Sequence, residues 1–305
     1  MTIKQDSLHH TLSEMKAILE KVKDPLSDDW DPIRLSLLLA KLEYEDLNIE
    51  REMDSFHLLC ADAKKNMKSE ILSFKDQLTR VIEIFRTQLG FQGDKTNYYN
   101  IKNSLMNDVL VRRKGIPITL SLVFMGLCRE MGMKAVGISF PGHFLVRVVP
   151  SLGHFEKASS KESQADWRTQ SFIDCFDAGQ LMTVQDCEKR LFEWTRGVVP
   201  FGPDVLKVAH PGEILSRMLR NLRAIFMEKE DLARLYWVLT SLIELCPGDK
   251  IEAHKERGIL MGRTGRFSRA AEDLRIFLSL SQDPQKRAHV EQMLRFFENQ
   301  VELPN

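Results

Sequence analysis

The spacing of hydrophobic positions changes twice along this chain, and the changes divide it. Up to about residue 90 the apolar residues return at helical intervals. Leu12, Met15, Ile18, Leu19 and Val22 fit one helix. Asp31-Pro32 opens a second, with Ile33, Leu37, Leu38 and Leu42 on one side. From Asp54 to Leu89 a longer run through Phe56, Cys60, Ile71, Phe74, Val81 and Phe85 predicts further helix with breaks inside it. Gly90 to Asn100 reads as a loop, and Asn103-Ser104 as the cap that opens the next helix.

Pro117 to Met131 is apolar on nearly every side. Leu120, Phe124, Leu127 and Met131 form one stripe and Ile118, Leu122 and Met125 another, which predicts a helix buried inside a domain. It is too short to cross a bilayer. Pro117 suits the first helical turn, where its missing N–H leaves no bond unmade, and Gly132 suits the left-handed stop. Past Gly132 the period falls to two. Val136, Ile138 and Phe140, then Phe144, Val146 and Val148, alternate with their neighbours and predict two strands separated by Pro141-Gly142. Ser171 to Phe176 reads as a third strand carrying Asp174, and Lys157–Asp166 as an exposed loop before it.

Gly197 to Asp204 is rich in Gly and Pro and reads as a linker. After it the helical period returns over roughly Pro211–Glu228, Asp231–Cys246, Ile251–Thr264, Ser268–Ser281 and Gln285–Gln300. LTSLIELCPGD echoes LRIFLSLSQDP, with Leu245 and Leu280 standing 35 apart, close to the tetratricopeptide period of about 34. An unrelated helical bundle is the other reading of this region. Stacked repeats would expose a concave surface of the kind that holds peptides or partner proteins.

Composition narrows the function classes. Lys plus Arg equals Asp plus Glu at 43 each, which argues against general nucleic-acid affinity, because that depends on neutralising phosphates. The longest basic cluster, Arg112-Arg113-Lys114, is too short for a binding arm. No apolar run is long enough to span a membrane, and the polar start of the chain predicts no signal peptide. Five scattered cysteines point to free thiols in a reducing cytoplasm. The acidic stretch Glu43–Glu52 reads as a solvated helix end and His9-His10 as a disordered terminus, so no metal and no cofactor are expected. Phosphate-loop, dinucleotide, zinc-protease and serine-elbow motifs are absent.

Buried Asp174 needs a partner, since an unpaired carboxylate among apolar residues is costly. His143 is the natural candidate, with Arg113 or Arg147 as structural alternatives. Strand alternation would turn Cys175 away from the side Asp174 faces and place His143, Leu145 and Arg147 on one face. Cys128 reads as a core thiol. Thr119 and Ser121 are the hydroxyls nearest the start of the buried helix, where capping is the commoner use and a nucleophile the rarer.

The segments NSLMNDVLVRRKGIPITLS, FPGHFLVR and FIDCF, in this order, resemble the core of the transglutaminase-like superfamily, relatives of the papain-type thiol enzymes. They are most similar to the bacterial SirB family, transglutaminase-like proteins with tetratricopeptide repeats. The likeness runs from about Leu35 to the C-terminus. It implies an α+β fold with a small antiparallel sheet, divided as an N-terminal helical subdomain over 1–90, a core over 91–203 and a repeat region over 204–305.

In that superfamily a Cys opens the buried helix, a His follows on one strand and an Asp on the next. Aligned by the helix end at Cys128–Gly132, the Cys position falls at or next to Pro117, which carries no nucleophile. His143 and Asp174 then form the retained pair, and Asn103, Arg113, Pro117, Thr119 and Arg147 are expected around the same cleft, with Asn103 equally a plain cap. Two functions follow from the likeness. One is a binding or scaffold protein whose altered cleft works beside a partner-holding repeat surface. The other is a hydrolase or acyl transferase with an unusual nucleophile.

Overall fold

The computed structural model describes residues 5–65, 73–149 and 170–302. The loop expected over 157–166 lies outside the described residues. Twelve helices are described, with two short strands in a parallel pair and four in an antiparallel sheet. The chain groups into two compact units. One runs over Ile18–Ile214; the other joins the chain up to Ala17 with everything from Leu215 on.

In the first unit, α2 (Pro32–Lys41) and α3 (Ile49–Lys65) lie against α6 (Pro117–Glu130). Asp31 caps α2 by accepting from the N–H groups of Ile33 and Arg34 at 2.8 and 3.0 Å. Every residue of α6 from Pro117 to Cys128 is buried, as its all-round apolar pattern demands. Gly126 lets two helices close on it: a Cβ there would stand 2.7 Å from Ile33 and 3.0 Å from Phe56.

The sheet runs in the order β3 (Lys134–Ile138), β4 (Leu145–Val149), β5 (Ser171–Asp174), β6 (Gln180–Thr183), and every pairing is antiparallel. β3 and β4 meet α6. Val136, Ile138, Leu145 and Phe172 form a core with α7 (Val184–Thr195) through Val184, Cys187 and Leu191. The Gly197–Asp204 stretch is not a free tether. Val199 and Phe201 pack on that core, Leu206 is buried in it, and Val208 bridges to Ile138 on the β3 edge. Its apolar residues outweigh its Gly and Pro.

Three local expectations need correction. His9 and His10 sit on α1 (Gln5–Lys21), exposed on an ordered helix and not on a disordered terminus. α5 (Met106–Arg112) is opened by Leu105, and Asn103 closes a separate 3-10 turn. β1 (Gln92–Gly93) and β2 (Lys114–Gly115) form a two-residue parallel pair too short for any periodicity to announce.

The second unit holds most of α8 (Pro211–Glu228), then α9 (Leu232–Leu245), α10 (Lys250–Arg263), α11 (Phe267–Leu280) and α12 (Pro284–Glu302). From α10 on, each helix packs on the one before, the arrangement of a tetratricopeptide array. Gly258 admits Leu274, whose Cδ2 would lie 2.7 Å from an added Cβ. A buried polar knot ties three of the helices. Asp273 on α11 accepts from His254 and Arg257 on α10, each at 2.8 Å, and Arg257 reaches Thr240 on α9 at 3.1 Å.

Candidate functional site

Two chain reversals bring the candidate pair together. At the first, Gly142 adopts φ 68°, a left-handed turn that glycine enters without strain, and His143 follows it. His143 therefore stands in the turn before β4 and not on the strand, its N–H bonded to the Phe140 carbonyl at 3.0 Å. At the second, β5 ends on Asp174. The chain turns there because Asp174 Oδ1 accepts from the N–H groups of Phe176 and Asp177 at 3.0 and 3.2 Å.

His143 Nε2 lies 2.8 Å from Asp174 Oδ1. The contact is within hydrogen-bond reach, with the ring nitrogen poorly aligned for a straight bond. The carboxylate is fully buried and the imidazole nearly so, with 15% of its side chain exposed. The other carboxylate oxygen is held by Arg190 Nη1 from α7, a residue that carried no signal in the sequence. The same guanidinium reaches Asp177 Oδ2 at 3.5 Å, and Lys95 pairs with Asp177 Oδ1 at 2.6 Å. Burial alone would push Asp174 up. The contacts from His143 and then Arg190 outweigh it and hold the carboxyl down at about 2. Asp174 is thus a permanent anion with its oxygens engaged, and neither Arg113 nor Arg147 is its cationic partner.

Arg147, the third residue of β4, donates to Gln170 at 2.6 Å. Arg113 ends α5 in a left-handed conformation at φ 59° and lays its guanidinium 4.9 Å over the Phe91 ring. Its Nη1 atom is buried without a hydrogen-bond partner.

The start of α6 is built for structure. Pro117 is buried at the first helical position. Thr119 Oγ1 donates to the Asn103 carbonyl at 2.7 Å and accepts the Ile116 N–H at 3.1 Å, so the hydroxyl caps its own helix. Asn103 is fully buried and turned inward. Its amide donates to Asn97 O at 2.7 Å, and its oxygen accepts from Arg112 at 2.8 Å. Arg112 continues to Asp94 at 3.2 Å. Asn103 is therefore neither a cleft residue nor a cap; it ties the 97–98 loop, α5 and the start of α6 together.

All five cysteines are free and buried. Cys175, next to Asp174, is fully buried, touches Ser121, and burial pushes its thiol well above the ordinary range. Burial likewise pushes Cys60, Cys187 and Cys246 up to about 12 and raises Cys128. What the site offers is a held imidazole walled by aromatic rings. Phe176 lies edge-on to His143 at 6.3 Å, and Tyr98 edge-on to Phe176 at 5.9 Å. Beside them an open groove of about 440 Å³ is lined by Gly93, Lys95, Lys114, Phe176 and Asp177. Among the described residues no three His, Cys, Asp or Glu side chains converge as metal ligands. None of the described helices is long and apolar enough to cross a membrane.

A buried helix under an antiparallel sheet, with His before one strand and Asp at the end of its neighbour, is the arrangement of a transglutaminase-like domain. The chain belongs to the transglutaminase-like superfamily, whose family profile matches residues 9–220, and a tetratricopeptide-repeat profile matches 222–295. A protein of Xylella fastidiosa known as UPF0162 is 27% identical over 248 residues, covering 80% of this chain and 82% of that one. A UPF0162 protein of Pseudomonas aeruginosa is 29% identical over 208 residues, 68% of this chain and 70% of its own. Human F-box only protein 21 is 30% identical over 158 residues, 52% of this chain and 23% of that protein. No solved structure matches the chain.

Proposed function

We propose that this is a protein-binding module in which a transglutaminase-like cleft without a working thiol acts beside a tetratricopeptide surface. The observation that carries the reading is the state of the five cysteines: all are free, buried and held far from the thiolate form. A thiol enzyme needs a thiolate next to its base, and the start of α6, where the resemblance would put the thiol, carries a proline and a hydroxyl spent on capping. The His143–Asp174 pair then serves recognition, as an oriented imidazole in an aromatic wall. The repeat region over 204–305 supplies the partner surface, which is what stacked helical repeats commonly do. Unpaired cysteines fit the cytoplasm, and the finer kinship to the SirB family belongs to this same reading.

Crosslinking of the intact chain in its native extract, read by mass spectrometry, tests the proposal. The expected result is one protein crosslinked repeatedly to residues 222–295. No protein enriched over a charge-matched control would contradict it.

The second reading is a hydrolase or acyl transferase that uses a hydroxyl or water. The 2.8 Å approach of His143 to a permanent anion favours it, because that is how a general base is oriented. The two readings part on whether any side chain reacts in a His143-dependent way.

A further inference from the structure

We infer that Arg190 is a positioning residue that keeps the His143 ring neutral at physiological pH, by neutralising the aspartate on which the ring leans. The inference goes beyond either reading of the cleft. A neutral imidazole carries a lone pair, which a recognition site and a general base can both use.

The argument starts from the carboxylate. His143 Nε2 stands 2.8 Å from Asp174 Oδ1, and an anion that close draws a proton onto an imidazole. Asp174, held down at about 2, is an anion wherever a histidine titrates. Asp174 alone would therefore favour the charged ring. Arg190 answers from the other carboxylate oxygen. Its Nη1 takes Oδ2, and its Nη2 reaches Asp177 at 3.5 Å. Lys95 completes the set on Asp177 at 2.6 Å. Two aspartates thus stand against two cations before the ring takes any proton. A proton on His143 would add an unmatched charge beside a fully buried carboxylate, with only 15% of the imidazole side chain open to solvent.

Hydrogen bonding points the same way. Oδ1 already accepts the N–H groups of Phe176 and Asp177 at 3.0 and 3.2 Å. With Arg190 on Oδ2, the carboxylate is satisfied without an imidazolium. The neighbouring charges do not reverse the count. The buried stretch of α6, Pro117–Cys128, has no charged residue, and Phe176 meets the ring edge-on and uncharged. On α7 the other charged side chains nearby, Asp186, Glu188, Lys189 and Glu193, are exposed. Arg147 on β4 is engaged by Gln170. In the adjoining groove Asp94 is matched by Arg112, and Lys114 adds positive charge that also disfavours a cationic ring.

The test is an NMR titration of the intact chain carrying nitrogen-labelled histidine, with the His143 signal identified by its loss in His143→Gln. In the wild type the ring should read as neutral at about pH 7.5. In Arg190→Met its titration midpoint should rise by about one pH unit or more, because Asp174 then stands unmatched. Arg190→Gln keeps a donor for Oδ2 without the charge and should give the same rise, so it carries the test if the methionine variant does not fold. Arg190→Lys restores the charge and should return the midpoint towards that of the wild type. A merely structural arginine would change stability in these variants and leave the midpoint where it was. An unchanged midpoint in the uncharged variants overturns the inference. So does a wild-type ring that is already charged at about pH 7.5, or a lysine variant that titrates like the methionine one.

Discussion

Arg190 and Asp174 stand sixteen residues apart and meet in the core, the guanidinium taking the carboxylate oxygen that His143 leaves free. That pairing ties α7 to the end of β5. It explains how a fully buried aspartate stays ionised beside an imidazole.

Removing the arginine should expose its structural share. Arg190→Met leaves Asp174 with His143 and two backbone N–H groups, and the lost charge-assisted bond should destabilise the fold by about 1–3 kcal/mol. Urea denaturation reads this as a lower midpoint at unchanged slope. Asp174→Ala, which strands Arg190 and leaves His143 without its carboxylate, should do at least as much damage.

The carboxylate also sets an acid limit. Its folded pKa lies below the ordinary 3.8, at about 2. A depressed pKa contributes stability that is complete above the unfolded value and is lost as pH falls through the folded one. Stability should therefore fall between about pH 4 and pH 2, with this group supplying about 2 kcal/mol. Asp174→Asn should lower stability at neutral pH and flatten that acid limb in chemical denaturation followed across pH.

Gly142 carries the turn that aims His143. Its φ is 68°, and an added Cβ would collide with the Trp194 indole. Gly142→Ala should destabilise by about 1–2 kcal/mol through backbone strain. It should also change the emission of Trp194, with Trp194→Phe as the control that identifies the signal.

Thr119 separates a cap from a nucleophile. Thr119→Val removes two buried hydrogen bonds and should destabilise by about 1–3 kcal/mol. Thr119→Ser should restore most of that loss, as read by thermal melting.

Much of this architecture was legible because it rests on repetition. The five helices from Pro211 on follow the segments read from spacing to within a residue or two, since apolar period and Pro-Gly breakers both mark them. The α6 helix was legible because a stripe on every side admits only burial. The site was legible in its two main residues and not in its surroundings. Arg190 lies on an amphipathic helix among other charged residues, and nothing local distinguishes it. The strand β6 was missed because four residues with a single buried side chain give no alternation. Asn103 could be placed near the start of α6, but its partners Arg112, Asn97 and Thr119 come from three elements that only folding brings together. His143 fell in the turn and not on the strand because the left-handed turn at Gly142 delays the start of β4 to Leu145, two residues later than spacing alone suggests.

The most direct measurement is labelling of the native chain with a thiol-directed and a hydroxyl-directed electrophile, mapped by mass spectrometry in the wild type and in His143→Ala. The account predicts no site that labels selectively and loses its label in the variant, with the five buried cysteines reacting only on unfolding. Selective modification of Thr119, Ser121 or Cys175 that disappears in His143→Ala would contradict it and establish a working nucleophile.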